Sequence, residues 1–574
     1  MNPTGEDDTQ IASPVPASDS DVREPSSKKS SIDSDAISAK VHRLFELVPE
    51  PGASWRWYDV PYRFLLWSLR GWRRKLLPWS TRYRLNRALN FFGIFNHFER
   101  LKVQPLDDPM ENLIVPKGEE VTQGGIWIVE LFPPSHFAAL RRSLDRNGWD
   151  AENLFHREDK SNAQLVAQAR HGRGFMWSRL GTVTNPNTAY PVFDAKREVL
   201  PREFTFVELS AVQMGHSLTA VIAFMRLSEV GQRSLNEVWK AQHEPRFEWR
   251  GLRMPRTEGR LFAAIRATQT ERQRIHDVGR KWLQERCGGF LAASQSRQPV
   301  IDLNVFAEYD PLANGETRRL ADPLRALGLE GTFLWQYVSP QMPGVVLVPT
   351  LVRGANAEVL TNCWGAVCSH ERFNEQNDRP GYGARPFGAT TIAAIVDDAV
   401  RPFLLHLAVL QYVEELRSRL AEGRDAANSK HGRFSQRGVR QLRSELLSTS
   451  LDLHVVARDA MSLWEERWRR FSGVEVHGVA LPGEPHPPEE FDFIEDLRRA
   501  CRDNFKKLIK EDSAYREVLT TVTSLGASAE SSRLGRLALV VAAGSLLVAV
   551  ATMLVANTGD HTLWGDLVAW IKGR

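Results

Sequence analysis

The chain has 574 residues with 74 Lys+Arg against 70 Asp+Glu, a net charge of +4 that excludes a global nucleic-acid footprint while leaving local patches open. Its 42% hydrophobic and 25% charged residues are ordinary for a globular chain, and the length allows roughly two to four folded units without covalent staples. Four cysteines, Cys287, Cys363, Cys368 and Cys501, exclude a disulfide framework and fit a reducing compartment.

Residues 1–40 are rich in Ser, Asp, Glu and Pro and hold no apolar run, so they read as a disordered tail and not as a secretory signal. Composition changes abruptly over 54–100. Trp55, Trp57, Tyr58, Tyr62, Phe64, Trp67, Trp72, Trp79 and Tyr83 are interleaved with Arg56, Arg63, Arg70, Arg73, Arg74, Lys75, Arg82, Arg84 and Arg87, against the two acids Asp59 and Glu99. Such a mixture suits a membrane interface, where rings sit at headgroup depth and cations meet anionic lipid. It also suits single-stranded nucleic acid, where rings stack on bases, and it suits a helix pair that packs its rings on the body and solvates its arginines. The interfacial reading names Trp55, Trp67, Arg70, Trp72, Arg73, Arg74 and Lys75, with anionic headgroups as partner; nucleic acid is the weaker alternative.

Residues 124–370 read as an α+β body of one or two domains. A buried strand over 126–132 (IWIVELF) leads into a helix over 135–147, with Ser135 as N-cap and Gly148 as stop. Strands are predicted over 175–183, 204–212 and 218–227, the last two flanking Gln213, Met214, Gly215 and His216, a hairpin signal. A helix over 228–240 closes what resembles a small α+β sandwich. A further helix over 258–285 places Leu261, Ile265, Ile275, Val278 and Trp282 roughly on one side. Strands over 301–307, 333–338, 345–352 and 359–367 either complete the first sheet or form their own.

Residues 390–525 read as a long-helix bundle. A helix over 391–420 contains Pro402, where a kink is expected. Over 439–471, Val439, Leu446, Leu453 and Ala460 fill one seam position and Leu442, Thr449, Val456 and Leu463 the other; Ile494, Cys501, Leu508, Tyr515 and Val522 repeat the pattern over 493–525. Four heptads imply coiled-coil-type packing, within the chain or between copies in a homo-oligomer. Residues 526–536 are small and polar and read as a juxtamembrane joint.

Residues 537–556, LALVVAAGSLLVAVATMLVA, carry neither charge nor proline and read as one transmembrane helix. Arg533 and Arg536 precede the run and Asp560 is the first charge after it, so the positive-inside rule expects a single-pass protein of the cell membrane with its N-terminal bulk cytoplasmic. The tail, 557–574, sets Leu563, Trp564, Leu567, Val568, Trp570 and Ile571 near one helical face, with Trp564 and Trp570 expected at the headgroups.

Three stretches are candidates for chemistry. Gly215, His216, Ser217, Leu218 and Thr219 approach the G-x-S-x-G elbow of serine hydrolases, but Thr219 replaces the second glycine and a strand follows where a helix is needed. Cys363, Cys368 and His370 supply three zinc-type ligands without a second close pair, so no metal is expected. Arg379, Gly381, Gly383 and Arg385 precede a helix and form a candidate anion site, though neither a dinucleotide fingerprint nor a P-loop.

The expected fold is therefore an α+β cytoplasmic region, then a coiled-coil-like long-helix bundle, then one C-terminal transmembrane helix. The expected function is a membrane-anchored, non-enzymatic scaffold or sensor that requires no cofactor. One alternative is an oligomeric transporter or channel subunit: the layout loosely resembles CorA-type cation transporters, which have two adjacent spans and a Gly-Met-Asn loop, whereas this chain offers one span and no such tripeptide. The other is a membrane-anchored serine hydrolase resting on Ser217.

Overall fold

The computed structural model describes residues 42–104, 113–149, 161–172, 175–187, 195–249, 255–294, 297–312, 323–329, 335–350, 362–377, 386–429, 436–463, 473–480, 492–555, 557–558 and 561–573. The chain divides into two compact units. The first comprises Met1–Leu106 and Pro245–Gly259. It contains α1 (Asp59–Leu69), α2 (Trp72–Leu76) and α3 (Trp79–Val103), with the short antiparallel strands Arg246–Glu248 and Arg256–Glu258. Asn96 of α3 donates to Pro49 O at 2.8 Å and Arg100 to Val48 O at 3.3 Å, which fastens the entering chain to the helix.

The second unit, Asp107–Glu244 and Arg260–Arg574, is built on a ten-stranded sheet. Its strands are β1 (Val121–Phe132), β2 (Phe175–Thr184), β3 (Ala195–Arg197), β4 (Phe204–Met214), β5 (Leu218–Leu227), β6 (Val300–Phe306), β7 (Trp335–Val338), β8 (Val345–Pro349), β9 (Cys363–Ser369) and β10 (His477–Ala480). They lie in the order β10-β7-β8-β9-β6-β1-β5-β4-β2-β3, antiparallel except where β6 meets β9 and β2 meets β3. The early and late strand groups join at β1 and β6, with Ile126 opposite Asp302 and Ile128 opposite Val300. The sandwich expectation is thus replaced by a single mixed sheet. Central strands buried on both faces need no polar alternation, which is why β1 reads IWIVELF.

Helices cover both faces. Among them are α4 (Phe137–Asn147), α5 (Asn162–His171), α6 (Glu229–Trp239), α7 (Arg260–Cys287), α8 (Pro323–Ala326), α9 (His370–Gln376), α10 (Ala389–Ser429), α11 (Gln436–Leu463), α12 (Phe493–Val555) and α13 (Leu563–Lys572). One face sets Ile126, Ile128 and Val300 against Ile275, Trp282 and Leu283 of α7. A Cβ at Gly279 would stand 2.7 Å from Ile128 Cδ1, so a larger residue there would have to push that side-chain end aside. The opposite face sets Trp127, Val129 and Leu131 against α10, α11 and α12. Leu453, Val456 and Ala460 of α11 and Ile494, Cys501 and Leu508 of α12 belong to that same core. The heptad seams therefore close onto the sheet instead of forming a separate coiled-coil bundle, which corrects the expected fold class to a mixed α/β arrangement.

The transmembrane expectation is also overturned: among the described residues, no helix is long and apolar enough to cross a membrane. The described part of this run, residues 537–555, does not form a helix of its own. It supplies the end of α12, a 63-residue helix whose earlier turns carry Lys506, Lys507 and Lys510. Without a span, the single-pass topology, the cell-membrane placement and the positive-inside orientation built on it all fall. Leu537, Leu539, Leu546 and Leu547 are exposed on this helix end.

Candidate functional site

The aromatic and basic segment forms the surface of the first unit. Its two acids are both bonded within the unit. Asp59 is fully buried at the start of α1 and accepts from Gly52 N at 2.6 Å, from Ser54 Oγ and from Arg56 N. Burial raises its pKa, yet these donors outweigh burial and hold the carboxyl below the usual carboxylate range. Glu99 accepts from Tyr58 Oη at 2.6 Å and pairs with Arg56 at 2.9 Å. Between residues 60 and 98 the chain carries eight cations and no acid. Among the described residues none of those eight forms an ion pair with a carboxylate.

The aromatic rings divide into two sets. Phe91, Phe95 and Phe98 of α3 pack with Phe247 and Trp249, with Phe95 and Phe247 centroids 5.1 Å apart and Phe91 and Trp249 5.6 Å apart. An outer set faces solvent: Trp55 is 82% exposed, Trp72 66% and Trp79 76%, and Phe64, Trp67 and Tyr83 are exposed beside them. Outer rings pair with one another and with cations. Phe64 stacks on Trp67 and Trp79 on Tyr83, each at 6.0 Å, and the Arg73 guanidinium lies 3.9 Å from the Trp67 centroid. Arg63 lies 4.6 Å over Trp55. Arg70, Arg74 and Lys75 are exposed. Of the two tail tryptophans, both in α13, Trp570 is exposed.

A second constellation lies buried under α7 and escaped the sequence reading. Asp302 of β6 accepts from Arg272 Nε at 2.9 Å and Nη2 at 2.6 Å, and its Oδ2 stands 3.1 Å from His276 Nε2. His276 Nδ1 is 3.5 Å from Cys363 Sγ at the start of β9. Arg272 and His276 share a helix face at i,i+4 spacing, while β6 and β9 are parallel neighbours with Cys363 opposite Val300 and Gly365 opposite Asp302. Burial would raise Asp302, but Arg272 and His276 outweigh it and hold the carboxyl at about 2. Burial would also raise Cys363, but His276 and Arg272 bring the thiol down to about 7. His276 is lowered by burial and raised by more through Cys363 and Asp302. The sequence signal was present in part: Asp302 and Asn304 sit at alternate positions of an apolar strand, IDLNVF, and a buried carboxylate requires a buried cation.

The other sequence candidates scatter. Cys363 faces α7, whereas Cys368, five residues along the same strand, lies in the opposite core. Among the described residues no group of three His, Cys, Asp or Glu is arranged to hold a metal. Ser217 Oγ donates to Val455 O at 3.4 Å, and His216 Nδ1 stands 3.3 Å from Arg170 O, so neither engages the other. Arg379, Gly381, Gly383 and Arg385 lie outside the described residues. A cavity of about 420 Å³ beside the carboxyl ends of β6 and β9 is lined by Glu308, Asp310, Glu371, Arg372 and Glu375, with Arg372 paired to Asp310 at 2.5 Å. Comparison with protein-family models, curated proteins and solved structures finds no match.

Proposed function

We propose that this chain is a scaffold or sensor that works at an anionic membrane surface, held there peripherally by the aromatic and basic face of its first unit. One observation carries the reading: Asp59 and Glu99 are satisfied internally, while the cations and tryptophans of the same segment point to solvent. A surface built only to pack its rings would bury them, and one built only for solubility would mix its charges. Each Lys or Arg near an anionic leaflet contributes about 1 kcal/mol, so Arg70, Arg73, Arg74 and Lys75 together supply about 4 kcal/mol before any ring enters the headgroup layer. No crossing segment and no catalytic step is required.

The test is flotation of the full chain with vesicles of mixed phosphatidylserine and phosphatidylcholine, and with phosphatidylcholine alone. The reading expects binding to the anionic vesicles that weakens as salt rises. A triple variant, Arg73→Glu, Arg74→Glu and Lys75→Glu, should lose that binding while keeping the wild-type circular dichroism and melting temperature. Equal binding to both vesicle types overturns the reading. So does binding to a single-stranded oligonucleotide without binding to vesicles.

A further inference from the structure

We propose that Cys363 is a peroxide-reactive thiol, with His276 taking its proton and Asp302 orienting the imidazole. The geometry is a relay: Cys363 Sγ to His276 Nδ1 at 3.5 Å, then His276 Nε2 to Asp302 Oδ2 at 3.1 Å. Arg272 grips the same carboxylate through two nitrogens and keeps it ionised. An ionised Asp302 holds the neutral-ring proton on Nε2 and leaves the Nδ1 lone pair facing the sulfur. Proton transfer from thiol to ring then gives a thiolate beside an imidazolium, two charges that cancel in the core. Arg280, on the next turn of α7, adds a second cation near the sulfur while it donates to Gln298 O at 2.9 Å.

The other three cysteines provide an internal contrast. Cys287, Cys368 and Cys501 are also buried, and burial pushes their thiols up, Cys501 to about 12. None of them has an imidazole acting on it. Depth selects the reactant. Cys363 is 5% exposed and is the first residue of β9, so small neutral molecules, peroxide and a cyclic dione among them, reach it through opening of the strand end.

The step balances with hydrogen peroxide as oxidant. The thiolate sulfur attacks one peroxide oxygen, an S–O bond forms and the O–O bond breaks. The departing hydroxide takes the proton held by His276 and leaves as water. Sulfur loses two electrons to peroxide, and the product is the Cys363 sulfenic acid with a neutral His276. The chemistry is independent of the membrane-facing surface.

The experiment treats the folded full chain with hydrogen peroxide, traps sulfenic acid with a cyclic 1,3-dione and assigns the label to peptides by mass spectrometry. Labelling is expected at Cys363 at least about tenfold faster than at Cys287, Cys368 or Cys501. Its rate should climb as pH rises through about 7 and then level, because the thiolate is then fully formed. Cys363→Ser should abolish the label, and folded His276→Asn should slow it by about tenfold or more. Label spread evenly over the four cysteines, or Cys363 silent in the folded chain and labelled only in urea, overturns the proposal. Those wild-type comparisons decide the matter even if His276→Asn does not fold.

Discussion

Trp127 Nε1 donates to Asp397 Oδ1 across 2.7 Å and so joins the middle of the sheet to α10. The same carboxylate takes Arg401 Nε at 2.7 Å. Burial raises Asp397, with Arg401 and Trp127 acting against it. Asp397→Ala leaves a buried indole N–H without an acceptor and Arg401 without its partner, and should cost about 2–3 kcal/mol in urea denaturation. Asp397→Asn keeps an acceptor for the indole and should cost less than half as much. Equal losses would show that the indole bond contributes nothing.

Asp302 offers a harsher test of the core. It is fully buried, with Arg272 and His276 both depending on it. Asp302→Ala strands a guanidinium beneath α7 and should destabilise the chain by about 3–5 kcal/mol. The double variant Arg272→Met, Asp302→Leu removes both charges together and should recover most of that loss. Denaturation midpoints of the three proteins make the comparison. A single-variant loss under about 1 kcal/mol would mean that water reaches the pair.

Local signals carried the elements; they did not carry the pairing. Leu218–Leu227 appears with its expected bounds, Ser228 caps the following helix by accepting from Gly231 N, and Ile275 and Trp282 face inward on α7 as their spacing implies. Nothing local announces that β6 lies between β1 and β9. His276 meets Cys363 from 87 positions away and Asp302 from 26, so the relay has no motif to find. Asp397 accepts a hydrogen bond from a residue 270 positions earlier, a partner that nothing local to it announces. The composition of 54–100 did reveal an unusual segment, but which tryptophans stay outside depends on Phe91, Phe95 and Phe98 filling the inside first. At 537–556 the absence of charge suggests a bilayer span, whereas among the described residues no helix is long and apolar enough to cross a membrane.

The β4–β5 turn makes a sharp prediction. Gly215 has φ +64°, and a Cβ there would stand 2.5 Å from Asp459 Cβ. Asp459 Oδ2 meanwhile accepts from His216 N at 2.7 Å, so the side chain has no freedom to withdraw. Gly215→Ala should lose about 2 kcal/mol or more, from left-handed strain and from the clash. Ser217→Ala, two residues on, gives up only one long bond to Val455 O and should lose under about 1 kcal/mol. Thermal melts of the two variants settle the ranking; the reverse order would mean that the turn is not held against α11.

Glu130 gives the chain a pH dependence that can be isolated. Its carboxylate is fully buried on β1 and accepts from Leu131 N at 3.0 Å, Leu291 N at 2.8 Å, Ala292 N at 3.0 Å and Gln298 Nε2. Those bonds clamp the segment after α7 to the sheet. Burial still outweighs the four donors and pushes the acid to about 7, above its ordinary 4.5. A folded-state value raised in this way means that the proton stabilises the fold. The contribution is complete below pH 4.5 and is lost as pH rises through about 7, a fall of about 3 kcal/mol. Glu130→Gln lacks the titrating proton, and its amide also presents a donor where the carboxylate presents an acceptor, so the variant starts less stable at pH 5. The decisive quantity is the difference between wild type and variant in urea midpoints from pH 5 to 8. That gap should narrow steadily as the wild type alone pays for ionisation. A gap constant over the range would mean that Glu130 ionises as readily in the folded chain as in the unfolded one, and that the clamp, not the burial, sets its charge.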